Sequence, residues 1–203
     1  EHPSAASIEE VARIVRGGGV AAIPTDTLYG LAVDPFDAAA VRRVFAMKGR
    51  RAEGALPLIA ADAAQVEAWL GGLPATGRRL ADCFWPGPLT LVVAAPEGLA
   101  LEVTGGLSTV GIRVPAHAVA RALCALCGHP LTATSANISG EPATADPEAV
   151  RRVLGDRLDV LLDAGPTPGG APSTLVDVNQ AVPVLVRAGA ISWDRIQACL
   201  QRA

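Results

Sequence analysis

Apolar residues recur along this chain at two periods, and the points where each period starts and stops divide it into elements. Ile8, Val11, Ala12 and Val15 fall on one side of a 3.6-residue helix, and Ser7 with Glu10 has capping-box spacing, so a helix is predicted over 7–16. Gly17-Gly18-Gly19 stops it, VAAI then reads as a short buried strand, and PTDT reads as a turn. Helix, glycines, strand is the reverse of the order that cradles phosphate in nucleotide-binding folds, so these glycines are read as a cap and turn. A second helix is predicted after Asp37, with Val41, Val44 and Phe45 facing inward and Lys48 near its end, where a cation suits the helix dipole. Asp62 with Gln65 opens a third helix. LTLVVAA, TVGIRVP and LTATSA read as strands, and RALCALCG reads as a helix. Asp146-Pro147-Glu148 combines an N-cap, a proline at the first position and an early acid, which together start another helix. Strands over 159–162, 173–178 and 184–186 and a helix from about Trp193 complete the pattern.

Strands and helices mix here without strict β-α-β alternation, which predicts a single α/β domain over 1–203 with a twisted mixed sheet. The Gly/Pro-rich stretch 165–172 is followed at once by a strand and is read as a functional loop rather than a linker. With 203 residues, 50% of them hydrophobic and 18% charged, the chain has the composition of a compact soluble protein. The aromatic share of 3% means that the core is built from Ala, Val, Leu and Ile. The run 89–95 is too short to span a bilayer and no basic-then-apolar leader is read, so a cytoplasmic protein without membrane contact is expected. A net charge of −3 argues against a surface built throughout for nucleic acid. Lys48, Arg50 and Arg51, with Arg42 and Arg43 upstream, form a local basic group that suits either an anion site or a solvated face. Cys124 and Cys127 share one helix face with no second pair at zinc spacing, and read as two small apolar side chains facing the core. Cys83 and Cys199 are isolated in sequence, and no disulfide framework is expected.

No Walker motif, no H-E-x-x-H and no G-x-S-x-G is present. Polar clusters instead sit at the ends of apolar strands: Thr25, Asp26, Thr27 and Tyr29; Thr109 and Arg113; Thr134, Ser135 and Asn137; Ser173 and Thr174; and Arg187. Strand ends are where open sheets collect ligands, and the same residue types also favour turns. Arg113 stands between Ile112 and Val114, where a charge must face either water on an edge strand or a partner anion.

PTDTLYGL, the K-x-R of Lys48-Gly49-Arg50, WPGPLT, VGIRVP, TSANISG and STLVD occur in the order seen in YrdC-like proteins, and in this the chain resembles that family over about 8–191. The resemblance implies an α/β twist with flanking helices and a central concave cavity. Longer relatives add a second domain, so this chain looks like the minimal TsaC-type form. The implied activity is that of a threonylcarbamoyl-AMP synthase: L-threonine, bicarbonate and ATP give threonylcarbamoyl-AMP and pyrophosphate. A tRNA threonylcarbamoyl transferase then uses the adenylate to modify the adenosine next to the anticodon. Lys48 and Arg50 resemble the family's catalytic, phosphate-neutralising pair. Thr109, Ser135, Asn137 and Arg187 match nucleotide contacts, and Thr25, Arg113 and Ser173 match threonine contacts. Magnesium is expected with ATP, held mostly by the triphosphate, since no acidic cluster has ligand spacing. The chain departs from the family pattern at Arg51 and at LPLIAA, which lacks the usual His. Two alternatives are an RNA-binding factor, since YrdC-like proteins resemble factors linked to RNA and the Lys48–Arg51 group is basic, and a carbamoyl-transfer domain of the hydrogenase-maturation type, which shares these motifs. Acidic charge and few aromatics weigh against the first, and the isolated domain weighs against the second.

Overall fold

The structure is a computed structural model that describes residues 3–49 and 54–201. Helix α1 (Ala5–Arg16) buries Ile8, Val11, Ala12 and Val15 and is capped by Ser4, whose hydroxyl accepts from Ser7 N at 3.1 Å. It therefore starts before the Ser7–Glu10 box. With the cap at Ser4, Glu10 lies beyond the first turn and its free amides, and its carboxylate pairs instead with Arg13 at 2.6 Å. Strands β1 (Ala21–Ile23) and β2 (Gly30–Ala32) flank the PTDT loop, and α2 (Ala38–Lys48) begins at Asp37, which accepts from Ala39 N and Ala40 N. After β3 (Leu58–Ile59) comes α3 (Ala63–Leu70), capped by Asp62 as predicted. Helix α4 (Ala75–Phe84) follows Pro74, which offers no side-chain cap. Next are β4 (Leu89–Ala94), the single turn α5 (Leu101–Thr104), β5 (Thr109–Arg113) and α6 (Ala118–Cys127). The chain continues through β6 (Leu131–Thr132), β7 (Thr134–Ser135), α7 (Pro147–Leu154), β8 (Val160–Leu161), β9 (Thr174–Asp177), β10 (Val184–Arg187) and α8 (Trp193–Gln201).

The strands form two mixed sheets, ordered β7-β2-β1-β8 and β10-β9-β4-β5-β3-β6. LTATSA, read as one strand, is two: Leu131 and Thr132 pair with β3 in the larger sheet, while Thr134 and Ser135 pair with β2 in the smaller one. Ala133 is the residue at which the chain changes sheets.

Alternation along the six-stranded sheet decides what each face does. Leu89 and Leu91 of β4, Val110 and Ile112 of β5 and Val176 of β9 are fully buried, and they pack with Val41 and Val44 of α2, Leu80 of α4 and Ile196 of α8. Thr90 of β4 and Gly111 and Arg113 of β5 face the other way. A second apolar cluster joins α1 and α6 to Ile23, Ile59 and Leu131.

Cys124 and Cys127 are buried free thiols of α6, in line with their reading as core residues. Burial pushes the Cys127 thiol up to about 11 and the Cys124 thiol higher still. The isolated cysteines correct the expectation: Cys83 and Cys199 form a disulfide. They are 116 residues apart, and their proximity arises only because α4 and α8 pack side by side, where Arg79 Nη1 also donates to Leu200 O at 2.8 Å. Among the described residues no helix is long and apolar enough to cross a membrane.

Candidate active site

The face carrying Thr90 and Arg113 forms one wall of a cavity of about 470 Å³. The β1–β2 loop, through Thr25, Thr27 and Tyr29, and Ser135 of β7 form the opposite wall. Pro172, Ser173 and Arg187 close one side. Leu91 pairs with Ile112, and by antiparallel register Thr90 therefore stands opposite Arg113. Gly111 sits two residues before Arg113 on the same face, and a Cβ there would come 3.1 Å from the Thr90 methyl. Its missing side chain makes room for that methyl, beneath the cavity-lining Thr90 and Pro57.

Each wall is held by hydrogen bonds. Thr25 Oγ1 donates to Leu28 O at 2.7 Å and accepts from Thr27 N at 3.2 Å, so the PTDT loop is a hydroxyl-closed turn. Thr167 Oγ1 and Gly169 N both donate to Thr27 O, at 2.9 and 2.8 Å, fastening the 165–172 loop onto that turn. The buried Tyr29 hydroxyl adds a bond to Gly165 O at 2.8 Å. On the far side, the Ser173 and Thr90 hydroxyls are bonded at 2.8 Å, and Arg187 Nη2 donates to Ser173 O at 2.9 Å. Ala190 N donates to Pro172 O at 2.9 Å, and a Cβ on Gly189 would fall 2.3 Å from that oxygen, so only glycine lets β10 turn back over Ser173.

Arg113 is buried, and its partner is Asp26: Nη1 donates to Oδ1, with side-chain exposures of 9% and 10%. Asp26 Oδ2 is buried and has no hydrogen-bond partner. Burial, and behind it the positive charge of Arg113, holds Arg187 below the usual arginine range. Two guanidinium groups and one carboxylate at a single cavity leave an excess positive charge, which suits an anionic ligand.

Of the residues singled out from sequence, Thr25, Thr27, Tyr29, Arg113, Thr134, Ser135, Ser173 and Arg187 line this cavity. Lys48 and Asn137 lie behind it. Lys48 is 3% exposed, and its ammonium donates to Ser135 O and to both Asn137 O and Asn137 Oδ1, the last two at 2.9 Å. Asn137 Oδ1 also accepts from Ser135 Oγ at 2.6 Å, and its Nδ2 donates to Glu141 O at 2.6 Å. The cluster thus reaches the cavity through Ser135. Thr109 shares a strand face with Arg113 but stands at the other end of β5, about 13 Å away at strand rise, and does not line the cavity. Arg50 and Arg51 lie outside the described residues.

Thr90 and the Asp26–Arg113 pairing were not predicted. Thr90 could have been found by carrying the alternation of LTLVVAA onto the face of Arg113. The pairing could not, since the two residues are 87 apart in sequence. Among the described residues no group of three or more His, Cys, Asp or Glu could hold a metal ion.

Comparison with known proteins gives the same outline. The Sua5_yciO_yrdC family model, described as telomere recombination, matches residues 13–189. A threonylcarbamoyl-AMP synthase of Pyrococcus abyssi is 38% identical over 190 residues, covering 94% of this chain and 56% of that protein. One of Thiobacillus denitrificans is 43% identical over 164 residues, covering 81% of this chain and 87% of that protein. The structure of P. abyssi Sua5 complexed with L-threonine superposes with a TM-score of 0.93 at 37% identity, covering 99% of this chain and 59% of that one. This chain thus spans little more than half of the P. abyssi protein and most of the Thiobacillus one. A family match through all the cavity-lining strands and loops, with this identity and superposition, means that the chain belongs to the Sua5/YciO/YrdC family.

Proposed function

We propose that this chain is an L-threonylcarbamoyladenylate synthase, a nucleotidyltransferase that makes threonylcarbamoyl-AMP and pyrophosphate from L-threonine, bicarbonate and ATP. The observation that carries the reading is the convergence of Arg113, Arg187, Ser173, Thr90 and Ser135 on one cavity, in a fold shared with a relative that takes L-threonine.

The chemistry asks for positioning and charge neutralisation rather than a protein nucleophile. The threonine ammonium and bicarbonate give a carbamate, a water and a proton. A carbamate oxygen then bonds to the α-phosphorus of ATP as the bond to the pyrophosphate oxygen breaks. Arg113 receives the threonine carboxylate, and Thr25 and Ser173 are within the same cavity to meet its polar groups. Arg187 and Ser135 face the nucleotide. Lys48 acts from behind by fixing the turn that presents Ser135, and its buried charge adds to the positive field. Arg50 is carried by resemblance alone as its partner at the phosphates. Magnesium comes with ATP and lowers the charge of the triphosphate; no described carboxylate cluster is placed to hold it. The adenylate then passes in the cytoplasm to a transferase that modifies tRNA.

ATP–pyrophosphate exchange tests the proposal. Exchange that requires both threonine and bicarbonate is expected. RNA binding without exchange would overturn it in favour of an RNA-binding factor.

A further inference from the structure

We infer that Asp26 is a positioning residue, fixing the Arg113 guanidinium so that its remaining donors face the carboxylate of the incoming amino acid. This rests on the reading of the cavity as a threonine site. Asp26 does not line the cavity, although its neighbours Thr25 and Thr27 do, so it acts through Arg113.

Three observations carry the inference. First, the pair spans the site: Asp26 belongs to the β1–β2 loop beside the smaller sheet, and Arg113 ends β5 of the larger one. The loop has its own anchors, in Thr25 Oγ1 to Leu28 O and in the bonds from Thr167 and Gly169 to Thr27 O. Asp26 is therefore a fixed point against which a long, rotatable arginine is set. Second, the pair is poorly built for stability. Desolvating two charges roughly cancels their attraction, and a buried oxygen without a hydrogen bond, Asp26 Oδ2, adds a further cost. Direction is what the pair supplies: the donors of a guanidinium lie in one rigid plane, so holding Nη1 on Asp26 within packed surroundings limits where the others can point. Third, Arg187 opens on the same cavity, and the repulsion between the two arginines contributes to the lowered affinity of Arg187 for its proton. Asp26 is the carboxylate that keeps Arg113 in place against that repulsion.

The test measures threonine and ATP dependence of pyrophosphate exchange for the wild type, Asp26→Asn, Asp26→Glu, Arg113→Ala and the double variant Asp26→Asn/Arg113→Ala. Asp26→Asn is expected to raise the threonine KM about tenfold or more and to move the ATP KM by less than about twofold. The double variant should be no worse than Arg113→Ala alone, since Asp26 has no effect except through Arg113. Asp26→Glu keeps the charge on a longer arm and should raise the threonine KM less than Asn does. Three results would each overturn the proposal: an unchanged threonine KM, an equal rise for ATP, or a double variant whose loss is the product of the single losses. If Asp26→Asn does not give folded protein by circular dichroism, Asp26→Glu decides, and a wild-type threonine KM in that variant overturns the proposal. A wild type without any threonine-dependent exchange would instead overturn the threonine reading itself, and this proposal with it.

Discussion

At Arg113, one buried guanidinium is divided between a carboxylate of the protein and the cavity. Truncation to Ala removes a charge-assisted contact of about 1.5–3 kcal/mol for a ligand carboxylate. Arg113→Ala is expected to raise the threonine KM by about tenfold or more while the ATP KM changes little, and equal losses for both substrates would contradict the assignment. Lys48 admits two readings that differ in size. As a mere C-terminal helix cation it would contribute about 0.3–1 kcal/mol, whereas as the donor to Ser135 O, Asn137 O and Asn137 Oδ1 its loss leaves buried acceptors unmet, at about 1–3 kcal/mol each. Urea unfolding of Lys48→Met is expected to show a loss of about 2–4 kcal/mol, together with a raised ATP KM. A loss below about 1 kcal/mol would return Lys48 to the dipole role. The candidate residues were legible one by one, as polar letters at the ends of apolar runs. Their partners were not, because hydrogen bonds such as Asp26–Arg113 and Lys48–Asn137 join positions 87 and 89 residues apart.

The elements that present those residues were legible in proportion to their length and caps. Helices with a side-chain cap at Asp37, Asp62 or Asp146 announce themselves, whereas α4 begins at Pro74 without one and carries Gly77 and polar residues in its first turns. Strands of two or three residues, such as β2 and β3, are too short to display a period of two. Strand β5 shows what alternation adds once an element is known. Val110 and Ile112 are buried in the core, so Thr109, Gly111 and Arg113 form a row on the opposite face, of which Arg113 reaches the cavity and Gly111 leaves room for the Thr90 methyl. Gly111→Val would press a branched side chain against Thr90 and Pro57, both of which line the cavity. A fall of about tenfold or more in kcat/KM for threonine is expected, together with a lowered melting temperature, because even a Cβ there already meets the buried Thr90 methyl at 3.1 Å. A large loss of stability with unimpaired kcat/KM in the folded fraction would mean that this wall of the cavity is not used.

In the whole molecule, helices α4 and α8 are joined by the Cys83–Cys199 disulfide, closing a loop of more than half the chain. Such a link limits the freedom of the unfolded state, typically by about 2–4 kcal/mol. Cys199→Ser is therefore expected to lower thermal stability by about that amount under oxidising conditions, and to make no difference once the wild type has been reduced. Exchange activity should survive, since neither cysteine lines the cavity. The fold class was legible because strands and helices mix without alternation. The division into two sheets was not, because it turns on Ala133, between Thr132 on the larger sheet and Thr134 on the smaller. That junction also bears on how such chains can diverge. Adding or removing one residue there would turn the side chains of β7 to the opposite face, taking Ser135 off the cavity wall. Aligned sequences of related chains should therefore be free of insertions and deletions between the partners of Thr132 and Thr134.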